Sequence, residues 1–187
     1  MKNIPDELIQ RAAAGDEAAF EEIYRLASGF VYAVSYRVTG KRHDAQEVTQ
    51  DVFLKVHANL KKFEKGTYFK AWIYRITVNT AINCYNRNKR RWSREADLEG
   101  MVETSGESGD AEKNIEKEER EKRVEEMLAR LGPEQRACLV LREIEGLSYE
   151  EISAALKVKL NTVRTRIKRA RETILGHAAR GDKNEVR

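Results

Sequence analysis

Apolar side chains recur along this chain at intervals of three and four. Phe20, Ile23, Tyr24, Ala27, Val31, Val34 and Val38 step in this way, the period of a helix that buries one face. Asp16, just after Gly15, is placed to cap its start, and Gly40 to end it. Val48, Val52, Val56 and Leu60 then line one face of a second helix, expected to begin at Asp44. Phe63 to Thr67, holding Gly66, predicts a short loop, with Thr67 as the cap of a third helix that carries Phe69, Trp72, Ile73 and Ile76. From residue 93 the pattern stops. Residues 93–119 hold ten acids against three bases (Arg94, Lys113, Lys117) and include Thr104-Ser-Gly-Glu-Ser-Gly-Asp110. Such a stretch buries too little apolar surface to offset its chain entropy, so a flexible acidic linker is expected there. Its last residues read equally well as the start of the next helix.

Helical periodicity returns near residue 120. Val124, Met127, Leu128 and Leu131 form one face, and Gly132-Pro133 breaks it. Pro133 suits the first turn of the helix that follows, which carries Cys138, Leu139, Leu141 and Ile144 before Gly146. The expected fold is all-α: two small helical domains over residues 1–92 and 120–178, a linker over 93–119 and a disordered tail over 179–187. No internal repeat is evident.

The sharpest local signal lies near the C-terminus. Ser148-Tyr-Glu-Glu151 has the spacing of a capping box, in which the hydroxyl caps the helix and the carboxylate reaches back. Ile152, Ala155 and Leu156 give that helix an apolar face, and the small Ala154 and Ala155 permit close approach. A short turn over Lys157 to Leu160 leads to a last helix, capped by Asn161 or Thr162 and running to about Leu175. A short helix, a tight turn and a longer helix make a helix-turn-helix. In the last helix Val163, Ile167, Ala170 and Ile174 face inward, and Arg164, Thr165, Lys168 and Arg169 form an outward stripe. Between Lys159 and Arg171 there are six bases, Arg166 among them, and no acids. A helix of this kind fits the DNA major groove, where Arg or Lys pairs with guanine, and Thr162 at its start suits a phosphate. A basic stripe on an isolated helix is more often a solvated face. The capped helix and tight turn before this one shift the balance toward DNA.

A second cationic stretch runs from Lys61 to Arg91, with nine bases and one acid, Glu64. Phe63, Tyr68, Phe69, Trp72, Tyr74, Tyr85 and Trp92 lie in or beside it, and Asn79, Asn83 and Asn86 recur along one helix side. Charge tracks a phosphate backbone, aromatics stack on unpaired bases, and amides read base edges. Phe69, Trp72 and Ile76 read more simply as core, which leaves the bases and asparagines unexplained. Two basic modules on an acidic tether suit a target with two separated DNA elements, because linkage raises effective concentration.

Composition narrows the choice of function. Of 187 residues, 35% are charged and 7% aromatic, with a formal net charge of +4, which favours helices with narrow apolar faces over a thick sheet core. No run approaches the ~20 apolar residues of a membrane span, and Met1 to Glu7 lacks a signal-peptide core. A cytoplasmic protein with no membrane insertion is expected. Cys84 and Cys138 read as small buried hydrophobes, with a redox pair as the lesser option. His43, His57 and His177 show no metal-ligand spacing, and neither a phosphate loop nor a nucleophile elbow is present. Neither an enzyme, a cofactor nor a metal is expected.

Asp44-Ala-Gln-Glu-Val-Thr-Gln-Asp-Val-Phe-Leu-Lys55 and Phe69-Lys-Ala-Trp-Ile-Tyr-Arg-Ile-Thr-Val-Asn-Thr80 resemble regions 2.2 to 2.4 of extracytoplasmic-function (ECF) sigma factors, of the sigma-70 family. Leu147-Ser-Tyr-Glu-Glu-Ile152 with Asn161-Thr-Val-Arg-Thr-Arg-Ile-Lys-Arg-Ala-Arg171 is similar to their region 4.2. The resemblance spans about residues 6–176. It implies a sigma-2 helical bundle and a sigma-4 helix-turn-helix that bind core RNA polymerase, recognise the −35 and −10 promoter elements and promote DNA melting. By the same resemblance, Asp44, Glu47, Gln50 and Asp51 fall where the family docks on the beta-prime clamp helices of the polymerase, although such acids alone read as a solvated face. Lys55, Asn59, Phe63, Lys70, Tyr74 and Asn79 fall in the region that handles the −10 element, where a base flips into a pocket helped by the Glu64 to Lys70 loop. Thr162, Arg164, Thr165, Arg166, Lys168, Arg169 and Arg171 fall where it reads the −35 element. The acidic linker would thread toward the RNA exit channel, the beta flap would be a further contact, and an anti-sigma factor would hold the chain inactive. Lys159 and Asn161 depart from the Pro and Gly common before the recognition helix; Asn161 is expected to tolerate the turn geometry. A helix-turn-helix repressor or activator with a helical sensor or dimerisation domain is the rival reading, and an RNA-binding regulator a weaker one.

Overall fold

The computed structural model describes residues 4–63, 69–96 and 115–181, and among these no strand occurs. Eight α-helices follow in order: α1 Asp6–Ala13, α2 Glu17–Thr39, α3 Arg42–Asn59, α4 Phe69–Ala96, α5 Ile115–Ala129, α6 Pro133–Leu139, α7 Tyr149–Leu156 and α8 Leu160–Gly181. A 3-10 turn, Leu60–Lys62, follows α3, and a π turn, Val140–Ile144, prolongs α6.

Helices α1 to α4 form the first unit. The Asp16 carboxylate accepts from the Ala19 N–H and caps α2, and Arg11 holds that carboxylate from the preceding helix. Gly40 ends α2 at φ 76°, a left-handed geometry that costs glycine no steric penalty. The apolar series of the sequence then becomes the core: Ile23, Val31, Val34 and Val38 of α2, Val48, Val52 and Val56 of α3, and Ile73, Val78 and Ala81 of α4 are all buried. Helix α3 starts at Arg42, earlier than the expected Asp44, which lies buried in its first turn. The proposed cap Thr67 and most of its loop lie outside the described residues.

Helices α5 to α8 form the second unit. Pro133 takes the first position of α6, where its missing N–H costs nothing, and Gln135 reaches back to the Gly132 N–H at 3.3 Å. Of the expected α5 face, Leu128 and Leu131 are buried, whereas Val124 and Met127 stay 39% and 38% exposed. Ile152, Ala155, Val163, Ile167 and Ala170 close the core between α7 and α8. The last helix is longer at both ends than expected: it starts at Leu160, and the Thr162 N–H bonds the Lys159 carbonyl, so neither Asn161 nor Thr162 is the cap. It continues through Gly181, so residues 179–181 of the expected tail are helical. Helices α4 and α5 likewise extend into the expected linker from both sides, to Ala96 and from Ile115.

The two units are in contact. Helix α6 packs on α2 and α4, and α7 packs on α4. Because Ile73 sits at the centre of the first unit with no exposed surface, Ile73→Ala should destabilise the chain by about 2–5 kcal/mol in urea titration.

Candidate nucleic-acid interface

The helix-turn-helix is built by local hydrogen bonds. Ser148 Oγ accepts from the Glu151 N–H at 3.1 Å, and Glu151 accepts from the Ser148 N–H at 2.7 Å. The Ser148 N–H, and the Ser148 hydroxyl after it, hold the Glu151 carboxyl below its usual pKa. Lys157 ends α7 at φ 53°, the one non-glycine residue with positive φ among those described. The strained position is therefore Lys157, not Asn161. The Ser153 hydroxyl donates to the Val158 carbonyl at 2.6 Å and fixes the turn that follows.

On α8, Arg164, Thr165, Lys168 and Arg169 are exposed together on one side. The Thr165 hydroxyl donates to the Asn161 carbonyl, and Lys168 lies 3.8 Å from Glu172. Thr162 is half-buried at the helix start. Arg166 does not join the stripe: it is half-buried and interacts with Cys138. Arg171 bonds Glu143 at 2.5 Å across the second unit. Four side chains thus face solvent, and among the described residues only Lys168 of these has an acidic neighbour.

The first unit presents a second polar face along α3 and α4. Lys55 donates to the Thr80 hydroxyl at 2.9 Å, and Asn59 donates to the Lys55 carbonyl at 2.8 Å. Asn79 is exposed one residue from Thr80. Phe63 packs against Phe69 and Trp72, with ring centroids 5.3 and 5.2 Å away. Farther along α4, Asn83, Asn86, Arg87, Arg90 and Arg91 line a groove of about 500 Å³. Tyr74 departs from expectation: it is 1% exposed, and its hydroxyl donates to Glu145 of the second unit at 2.9 Å. Burial and the Glu145 charge push its pKa up. Lys70 stays exposed on the same side of α4, within electrostatic range of Glu151.

The acids of α3 separate by environment. Gln50 is exposed and Asp51 half-exposed. Glu47 is bound by Arg87 at 2.5 Å. Asp44 is 5% exposed, which removes it from any docking face. Leu54, 63% exposed, stands one turn beyond Gln50 and Asp51. It falls opposite the Val48, Val52, Val56 and Leu60 face, so its spacing already sets it apart from the core. The fold brings ligand atoms of His43, Asp44 and Glu47 within 4.8 Å of one another, but Glu47 is already engaged by Arg87, and the trio supports no metal assignment. Cys84 and Cys138 are both buried, and burial raises both thiol pKa values.

The comparisons agree with this layout. A family model described as Sigma-70 region 2 matches residues 23–91, and one described as Sigma-70, region 4 matches residues 121–174. The chain is 37% identical over 171 residues to the ECF RNA polymerase sigma factor SigE of Mycolicibacterium smegmatis, covering 90% of this chain and 66% of that one, just under two thirds of its length. It is 34% identical over 175 residues to the RNA polymerase sigma-H factor of Pseudomonas aeruginosa, covering 90% of each. The solved structure of CnrH in complex with the cytosolic domain of CnrY superposes with a TM-score of 0.66 at 26% identity, covering 95% of this chain and 98% of that one.

The capping box gives a test of the local geometry. Ser148→Ala should cost about 1 kcal/mol of stability in thermal or urea unfolding. Because Glu151 titrates below its usual value, its contribution is complete above the ordinary carboxyl range and fades as pH falls through the lowered folded-state value. Glu151→Gln should flatten that acid-side loss; an unchanged acid-side slope would show that the box does not set it.

Proposed function

The chain belongs to the extracytoplasmic-function branch of the sigma-70 family of RNA polymerase sigma factors, and we propose from this footing which residues perform each step. Sigma factors bind RNA polymerase and promoter DNA, and the match of residues 23–91 to region 2 replaces the rival sensor or dimerisation domain.

In the proposal, the exposed stripe Arg164, Thr165, Lys168 and Arg169 reads the −35 element in the major groove. That exposed set on a capped helix-turn-helix is the observation that carries the reading. Thr162 and Arg171 serve phosphates, Arg171 after leaving Glu143. Arg166 is withdrawn from base reading because it turns toward Cys138. Lys55, Asn59 and Asn79 handle the −10 strand from the polar face of α3 and α4, with Phe63 at its edge. Lys70, already exposed, serves a phosphate, whereas Tyr74, buried and bonded to Glu145, is withdrawn from the strand in this arrangement. Unstacking a base there costs a few kcal/mol, offset by pocket and phosphate contacts. Residues 1–92 serve as the polymerase- and −10-binding domain, 120–178 as the −35-binding domain, and the acidic stretch between them as a tether near the RNA exit channel.

Gln50, Asp51 and the outer edge of Glu47 form the proposed docking face for the beta-prime clamp helices. Leu54 adds an exposed apolar side chain to this face. The beta flap is the proposed contact of the second unit. CnrH was solved in complex with the cytosolic domain of CnrY, and a protein partner of the anti-sigma kind is proposed for this chain.

Run-off transcription with sigma-free core polymerase tests the whole scheme. Adding the chain should produce initiation at a defined start; no initiation and no stable complex would refute it. Arg169→Ala should cost about 1–3 kcal/mol of binding at one −35 position and relax specificity there. Equal loss on every promoter sequence would remove its base-reading role. Asn79→Ala should slow strand opening, followed by permanganate footprinting, more than it weakens initial promoter binding.

A further inference from the structure

Among the described residues, Arg171 is the only base of the proposed −35 set held by an acid from another element. Its Nη2 donates to Glu143 Oε1 at 2.5 Å, a bond that spans 28 positions of sequence. Tyr149, the first residue of α7, stands beside the same guanidinium. Glu143 is exposed on the π turn Val140–Ile144. That turn is firmly seated. Val140 and Leu141 are buried, the Glu145 N–H bonds the Val140 carbonyl at 3.1 Å, and the Leu147 N–H bonds the Leu141 carbonyl at 3.0 Å. Arg142, next in the chain, donates to the Leu147 carbonyl at 2.8 Å and lies 5.0 Å from the centre of the Tyr149 ring. The Glu143 carboxylate is thus presented from a fixed backbone.

The Glu143–Arg171 pair does little for the fold. Its side chains keep 49% and 50% of their surface exposed, and an ion pair so open to water and salt adds little stability. Its placement matters more. At 100° and 1.5 Å per residue, Arg171 lies within about 60° of Arg164 and Lys168 around α8, and about 10 Å further along the axis than Arg164. In a helix-turn-helix the start of the recognition helix meets the base edges. The major groove is about 12 Å wide, so a base this far beyond Arg164 comes out at the groove wall, where the phosphates stand.

A carboxylate and a phosphate diester offer a guanidinium the same partner, two anionic oxygens that accept N–H bonds. We infer that Glu143 occupies, in the DNA-free chain, the place that a backbone phosphate takes in the complex, and so sets how firmly the second unit grips duplex DNA. The inference rests on the −35 reading of α8. On docking, the Arg171 bond to Glu143 breaks and a bond to a phosphate oxygen forms, with no proton transferred. The exchange contributes only the difference between the two bonds. The released carboxylate then faces the phosphates as a like charge. Phosphate contacts carry the sequence-independent part of binding, so Glu143 weakens the grip on every duplex alike and leaves base choice to Arg164, Thr165, Lys168 and Arg169. Competing non-specific sites in a genome outnumber promoters by orders of magnitude, which makes a loosened sequence-independent grip useful to a promoter reader.

Fluorescence anisotropy of the full chain on two labelled duplexes of roughly 20 base pairs, two helical turns, tests the inference. One duplex is selected by the wild-type chain from a randomised pool, and the other is its scrambled version. Glu143→Gln keeps the side-chain shape at an exposed position and removes its charge. It should tighten binding to both duplexes about two- to fivefold at low salt, with the ratio between them unchanged. The gain should shrink as added salt screens the ion pair and the repulsion. Arg171→Gln combined with Glu143→Gln should abolish it. Loss of fold weakens binding and does not tighten it, which separates this outcome from damage. Unchanged affinity for Glu143→Gln, a gain that survives Arg171→Gln, or a gain confined to the selected duplex would each overturn the inference. Arg169→Ala tests the −35 reading separately. Equal loss on both duplexes, or no sequence selected by the wild-type chain, removes that reading, and the scrambled duplex then decides the role of Glu143 through the single and double variants.

Discussion

Helix α4 must satisfy three neighbours at once, and most of the molecule follows from that. Ile73, Val78 and Ala81 face the valine seam of α2 and α3. Thr80 and Asn79, at the border of that buried face, meet Lys55 and solvent. Tyr74 and Tyr85, on the Val78 flank of the same buried face, meet Glu145 and Arg136 of the second unit. A helix repeats every 3.6 residues, so each of these faces is fixed relative to the others once the core is packed. The polar groups proposed to handle DNA are held by a rigid rod rather than by loops.

The second unit solves a different problem, that of presenting charge. A helix carrying Arg164, Lys168 and Arg169 on one side is stable only if its other side is dry. Val163, Ile167 and Ala170 supply that dry side. The capping box at Ser148 and the left-handed Lys157 then set the angle at which α8 leaves the core. Bases that the core has no use for are dealt with locally: Arg171 is tied to Glu143, and Arg142 donates to the Leu147 carbonyl and lies over the Tyr149 ring. The residue type is the same in the stripe and in these ties. Only position on the helix separates a base left for DNA from one spent on structure.

Contact between the units joins these two problems. The recognition stripe remains exposed in the closed arrangement, whereas Tyr74 is covered. The two faces proposed for DNA are thus unequally exposed in this structure.

Periodicity and capping chemistry made much of this readable in the amino-acid sequence. The helices, the dry face of α8, the Ser148–Glu151 box, the caps at Asp16 and Gly40 and the burial of both cysteines depend on residues within a few turns of one another, so local spacing determined them. Boundaries slipped where no cap residue marks them, at Arg42 and Leu160. Tertiary structure alone decided the fates of Asp44, Tyr74 and Arg166. Each carries a side chain suited to a surface or to a core, and which of these it meets depends on helices far away in sequence. Arg136 is the extreme case: nothing near it announces a buried cation, because its partners, the Val38 carbonyl and the Tyr85 ring, come into reach only when the second unit folds back onto the first.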